Sequence, residues 1–180
     1  KFYKMQSFKI IKPIHILTPY VRYYWILEDG ADVSVSERTL PTGCIQLVFH
    51  RGKRLLLVGK KESQPQAFIC GQCLNFSDVM SAGKIEMITV VFQPYAARAI
   101  LQLPLKFFYG ELIAVDAIAD LELSILSRKV IEADDHETCI RLIEQFLIHR
   151  LYRFEGYEYN LKRISAVLHQ INEQIGRASC

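Results

Sequence analysis

The sequence predicts an α+β fold in which an N-terminal antiparallel β-barrel or sandwich is followed by a helical segment. In the first half, short alternating stretches are separated by turn-forming residues at intervals of roughly 8–12 residues, the spacing of an antiparallel barrel or sandwich. After Pro94 the apolar residues recur at helical spacing instead. The 180 residues are 51% hydrophobic, which is enough for a packed core.

Segments with strand character occupy most of residues 20–94. The stretch YVRYYWILE alternates between two faces, and we expect the more apolar face to carry Val21, Tyr23, Trp25 and Leu27. The further predicted strands are VSVSERTL, CIQLVFH, RLLLVG, QAFICGQ, FSDVMSAG and KIEMITVVFQP. Together these segments predict about seven antiparallel strands joined by short turns.

Helices are predicted in the second half of the chain. YAARAILQL predicts a short helix that ends before Pro104, LPLKFFYGELIAV a connecting segment, and AIADLELSILSRKVIEA a second helix. DDHETCIRLIEQFLIHRLYRF predicts the longest helix, with Asp134 or Asp135 as its N-cap. Its apolar stripe consists of Cys139, Leu142, Ile143, Phe146, Leu147 and Leu151. The two longer helices should form an antiparallel pair.

The C-terminal stretch RISAVLHQINEQIGRASC predicts one more helix. Its apolar residues fall on one helical face: Ile164, Val167, Leu168, Ile171 and Ile175. Gly176 follows as a cap, and Ser179 stands where a further helix would begin. We therefore divide the chain into a β-rich part at 1–94, a helical segment of the same domain at 95–157, and a linker with a first helix of another domain at 158–180.

Charge and apolar patterning favour a cytoplasmic protein. The net charge of +3 is too small to indicate nucleic-acid binding by itself. Lys1 opens the chain without a secretory signal pattern, and the apolar runs are shorter than the ~20 residues of a membrane span. The five cysteines form no evenly spaced framework, so we expect reduced thiols and no membrane partner.

CGQC, with Cys70 and Cys73, is the one motif associated with redox chemistry or metal binding. A zinc site would need two more ligands, and no second cysteine pair exists. The five histidines show no metal-binding spacing, and we interpret His50 as a strand-end residue beside a turn. The favoured interpretation of CGQC is two thiols around a strand-end glycine. We predict no catalytic residue, no metal, no cofactor and no enzymatic activity.

Several segments together resemble the N-terminal sensor half of AraC/XylS-family regulators. They are LTPYVRYYW, LPTGCIQLVFHRG, FICGQ and MITVVFQPYAARAILQLPLKFFYGELIAVDAI, and the similarity runs from about Pro19 to Leu151. The resemblance implies a cupin-like β-barrel, a helical segment used for self-association, and a C-terminal DNA-binding domain with two helix-turn-helix units. Residues 164–176 resemble the first helix of that domain. The chain departs from the pattern at Tyr95 and in its cysteines at 70 and 73.

These features predict the effector-sensing and dimerisation domain of a bacterial transcription regulator. The partners would be an unidentified small-molecule effector, a second copy of the chain, and DNA only through a C-terminal domain beyond residue 180. Candidate ligand-binding residues are Trp25, Arg38, Gln46 and Phe49, which lie on strands that could face a barrel interior. Candidate dimerisation residues are Leu142, Ile143, Phe146 and Leu147. Packing of this stripe against the barrel is the alternative role.

Two other functions fit parts of the same sequence. The first is a cupin-like small-molecule-binding or zinc-containing barrel protein that uses Cys70 and Cys73. The second is a stand-alone binding protein, which would be supported if the native reading frame ended at Cys180. Neither alternative predicts a helix-turn-helix domain after residue 180.

Overall fold

The computed structural model describes residues 7–30, 36–39, 43–72, 76–81, 83–104, 110 and 112–153. It confirms the predicted α+β class, because antiparallel β-sheets in the N-terminal part are followed by helices. The predicted helix at 164–176 and the second cysteine of the CGQC motif, Cys73, lie outside the described residues.

The strands form two antiparallel sheets. Their bounds are β1 Ser7–Ile11, β2 Val21–Asp29, β3 Ser36–Thr39, β4 Gln46–His50, β5 Leu56–Leu57, β6 Glu62–Ser63, β7 Ala67–Cys70, β8 Ser77–Met80, β9 Ile85–Phe92 and β10 Leu112–Ala114. The larger sheet has the order β1-β2-β9-β4-β7-β10, and the smaller sheet has the order β3-β8-β5-β6. β10 lies in a segment for which the sequence predicted only a connection.

The larger sheet is covered on both faces, and each face packs in its own apolar cluster. Val48 and Phe68 pack with Val79 of the smaller sheet. Phe49 and Ile69, their neighbours in sequence, pack on the other side with residues of the helices. We call the side turned toward the smaller sheet the inner face and the opposite side the helix face.

An irregularity near the start of β2 changes which residues share a face. The pairing of β2 with β9 shifts between Val21 and Tyr23, as at a β-bulge. Val21 consequently joins Tyr24 and Ile26 on the helix face, while Trp25 packs in the inner cluster. The predicted common face of Val21 and Trp25 is therefore wrong, because one irregular residue reverses the alternation.

The helices are α1 Ala97–Leu101, α2 Leu121–Glu132 and α3 His136–Tyr152. Asp135 is the N-cap of α3, since its carboxylate accepts the backbone N–H of Thr138 at 2.7 Å. α2 and α3 pack against each other, and their buried residues contribute to the cluster on the helix face. No helix in the described part of the chain is long and apolar enough to cross a membrane.

Candidate functional site

The inner face of the larger sheet is lined mainly by apolar side chains, and a few polar side chains are set among them. Trp25 pairs with Thr89, Thr89 with Val48, and Val48 with Phe68 across four neighbouring strands. Residues directly opposite each other share a face, so these four side chains form one row. The next row places His50 opposite Met87. Thr89 and His50 are polar residues of this surface, and both are buried.

His50 is completely buried at the end of β4. Its Nε2 lies 2.9 Å from Oε1 of Gln64, and its ring lies 5.8 Å from the ring of Phe68, centroid to centroid. Burial lowers the pKa of His50 below its ordinary value, so the imidazole is neutral at pH 7. We assign the ring proton to Nε2, because the carbonyl oxygen of Gln64 can only accept. Nδ1 is then a hydrogen-bond acceptor, and no described residue donates to it.

Thr89 is the second polar group. It has no exposed surface, and its hydroxyl has no hydrogen-bond partner among the residues that the structure describes. Thr89 faces Val48, and His50 lies two residues further along β4, so the two polar side chains are diagonal neighbours, about 7–8 Å apart between Cα atoms. A buried polar atom without a partner costs about 1–3 kcal/mol. Two such atoms on one apolar face are candidates for hydrogen bonds to a bound molecule or to a buried water.

Replacing Thr89 with valine is expected to raise the free energy of unfolding by about 1 kcal/mol, because the substitution removes a buried hydroxyl without a partner and keeps the side-chain shape. Urea denaturation measures the change. Thr39→Val is the control, since the exposed Thr39 donates its hydroxyl to the carbonyl of Ser77 at 2.9 Å. A clear loss of stability in Thr89→Val would show that this hydroxyl already has a partner.

The stability of the protein should also depend on the ionisation of His50. Because burial lowers its pKa in the folded state, the unfolded chain takes up the proton first as the pH falls. The neutral His50 therefore costs no stability above pH ~6.5. Below that pH the free energy of unfolding should fall by up to about 1.4 kcal/mol per pH unit. Denaturation between pH 5 and 8 should show a smaller slope for His50→Gln than for His149→Gln, whose exposed side chain serves as the control. Equal slopes contradict a buried neutral His50.

Comparison with known families shows that this surface lies within the domain of one family. Residues 9–114, more than half of the 180-residue chain, match a family model described as "Domain of unknown function (DUF6597)". The chain belongs to the DUF6597 family. The match ends at the last residue of β10, so the DUF6597 domain includes His50, Thr89 and nearly all of both sheets. No curated protein matches the chain.

The structure separates the four ligand-binding candidates of the DUF6597 domain. Trp25 and Gln46 share the inner face, because their partners on β9, Thr89 and Val91, are two residues apart and therefore lie on the same side of the strand. Phe49 lies on the helix face with no exposed surface, so it does not join them. Arg38 is on the smaller sheet, where its exposed guanidinium pairs with Asp78 at 2.8 Å. That guanidinium holds the pKa of the Asp78 carboxyl below its ordinary value. A role in ligand binding stays a prediction for all four residues.

The sequence pattern does not indicate His50 or Thr89 as site residues. Each is a polar residue with apolar neighbours in its strand, at the end of LVFH in β4 and in the middle of MITVV in β9. A polar residue in an apolar strand indicates a site only when it is known which face of the sheet the residue takes. The pairing of β4 with β9 supplies that information.

Cys70 is a half-buried residue of the inner cluster. Among the residues that the structure describes, no group of three or more His, Cys, Asp or Glu side chains could hold a metal ion. Since Cys73 lies outside those residues, the hypothesis of a zinc site at Cys70 and Cys73 stays a prediction.

The dimerisation candidates divide into two kinds. Ile143 and Leu147 have no exposed surface and pack in the cluster on the helix face. Leu142 and Phe146 are only partly buried. The alternative role, packing against the sheet, therefore applies to Ile143 and Leu147, and a dimer surface would use the exposed parts of Leu142 and Phe146.

A polar cluster joins the end of the inner face to the helical pair. Arg51, directly after His50, donates to the carbonyl of Ala133 in the α2–α3 turn and to Sγ of Cys139 at 3.0 Å. The same guanidinium lies 3.2 Å from the carboxylate of Glu86, and Glu86 lies 3.0 Å from Nε2 of His136. These contacts connect the ends of β4 and β9 directly to the start of α3.

Proposed function

We propose that this DUF6597 chain is the effector-sensing and dimerisation part of a bacterial AraC-type transcription regulator that works in the cytoplasm. The observation that carries the proposal is the inner face, where His50 Nδ1 and Thr89 Oγ1 are buried without partners in apolar surroundings. The proposal is also supported by the resemblance of residues 19–151 to the sensor half of such regulators. A binding role requires no catalytic residue and no cofactor.

The proposed mechanism is a population shift between two arrangements of the helical pair. β4 and β9 carry the polar groups of the inner face, and the opposite sides of the same strands pack against the helices. Arg51 and Glu86 extend from these strands to the α2–α3 turn. An effector that binds one arrangement more tightly would favour it and would reorient α3 in each subunit of a homodimer.

In this proposal, residues 1–94 form the sensor, residues 95–157 the dimerisation segment, and residues 158–180 a linker with the first helix of a DNA-binding domain. Specific DNA contacts would come from recognition helices beyond residue 180. Residues 1–180 alone should therefore bind DNA negligibly.

The reading frame after residue 180 of the native gene tests this proposal. We expect roughly 80–90 further residues with two helix-turn-helix patterns, enough for the recognition helices that contact the major groove. A stop codon directly after Cys180 would contradict the proposal, and so would specific operator binding by residues 1–180 alone.

Replacing Leu142 with glutamate should convert a dimer of this chain into a monomer, because the substitution places a charge at a partly exposed apolar position of α3. Sedimentation velocity measures the change, and circular dichroism checks that the variant is folded. Gln145→Glu, at an exposed position of the same helix, is the control and should remain dimeric. A folded Leu142→Glu protein that still sediments as a dimer would place the interface elsewhere.

A further inference from the structure

We propose that the inner face recognises an uncharged, largely apolar small molecule through a hydroxyl group that donates to His50 Nδ1 and accepts from Thr89 Oγ1. This inference rests on the proposed sensing function and specifies the ligand class for the same site. A single hydroxyl can make both hydrogen bonds, because its oxygen is at once a donor and an acceptor.

The hydrogen bond of Gln64 decides the role of His50. Because Nε2 of the imidazole is engaged by the carbonyl oxygen of Gln64, the ring presents Nδ1 as an acceptor. An acceptor without a proton needs a donor from the ligand, which a ketone, an ether or a carboxylate does not supply. A hydroxyl group meets this requirement, and the freely rotating hydroxyl of Thr89 adapts to it.

The surroundings of the two groups favour an uncharged, apolar ligand body. Trp25 and Val48 flank Thr89 in its row, and the Phe68 ring contacts that of His50. A buried charge needs a paired counter-charge, which a neutral imidazole and a threonine hydroxyl do not provide. The basic group that acts electrostatically on His50 is Arg54, whose side chain is exposed to solvent. A carboxylate is therefore expected to bind less well than an alcohol or a phenol.

A buried water molecule is the competing occupant. One water can also donate to His50 and accept from Thr89, and buried waters commonly satisfy such groups. The two occupants differ in what they predict, because a site made for water gains nothing from a ligand with an aromatic ring. Trp25 and Phe68 make a one-ring probe the appropriate choice.

The test is a titration of the 15N-labelled 180-residue chain with phenol, toluene and benzoate, followed through the imidazole nitrogens of His50. We expect phenol to change the Nδ1 resonance and to bind about tenfold more tightly than toluene, which corresponds to about one or two net hydrogen bonds. Benzoate should bind most weakly. In Thr89→Val the affinity for phenol should fall several-fold while the affinity for toluene is unchanged. The exposed His149 is the internal control.

Three outcomes overturn the inference. Equal affinities for phenol and toluene would show that the polar pair is not used. Tighter binding of benzoate would show an anion site and would leave the sensing function intact. No response of His50 to any probe would indicate a site for water only. Failure of the proposed function is recognised separately, by the absence of a helix-turn-helix region from the native reading frame.

Discussion

Replacing Asp120 with alanine is expected to lower the free energy of unfolding by about 3–5 kcal/mol, because it leaves a buried arginine without its main counter-ion. Nη2 of Arg150 lies 2.6 and 2.7 Å from the two carboxylate oxygens of Asp120, and both side chains are nearly buried. Glu122 remains 3.0 Å from Nε of Arg150 and compensates in part. Asp120 is also the N-cap of α2, so the substitution removes a helix cap as well.

Asp135→Ala is the matched control, because Asp135 is the N-cap of α3 and is exposed. Its removal should cost several-fold less than the removal of Asp120. In the double variant Asp120→Ala with Arg150→Met, much of the lost stability should return, since no unpaired charge remains. Urea denaturation of the four proteins measures these differences. Equal losses of unfolding free energy in Asp120→Ala and Asp135→Ala would mean that the ion pair with Arg150 adds no stability beyond that of a helix cap.

Replacing Phe49 with alanine is expected to destabilise the protein by about 3–5 kcal/mol through the cavity it leaves on the helix face. Phe49 has no exposed surface and packs with residues of the helices. The result separates two roles of this residue. A ligand contact would leave the stability of the ligand-free protein nearly unchanged, whereas a core residue would not.

Phe76→Ala is the control for the Phe49 variant. The side chain of Phe76 is 52% exposed. The guanidinium carbon of Arg38 lies over the Phe76 ring, 3.8 Å from the ring centroid. We expect a loss below about 1 kcal/mol for this exposed ring, because little apolar surface is transferred back to water. Similar losses for the two variants would contradict the placement of Phe49 in the core.

Much of the fold can be predicted from the sequence because its periodic segments are long. The stripe and the acidic start of α3 predict both the helix and its cap, and Asp135 fills that position. β10 has only three residues, and its position is defined by pairing with β7, which lies more than 40 residues earlier in the chain. A short strand that depends on a distant partner gives no local pattern.

The site is harder to predict, because both faces of the larger sheet are buried. In LVFH of β4, apolar side chains occupy both faces, so the sequence does not show which face each residue takes. The irregularity near Val21 then reverses the phase of β2 without a sequence signal. For these reasons the sequence suggests the same face for Phe49 and Gln46 and does not indicate His50 and Thr89 as site residues.

The most direct test of the central claim is to map the DNA binding of the native full-length protein by chromatin immunoprecipitation, with wild-type protein and with Thr89→Val. If the inner face controls the arrangement of the helices as proposed, we expect discrete binding sites whose occupancy differs several-fold between the two proteins at equal protein levels. The absence of any enriched site for the wild-type protein would contradict a transcription regulator. Identical occupancy for the two proteins would contradict control by the inner face.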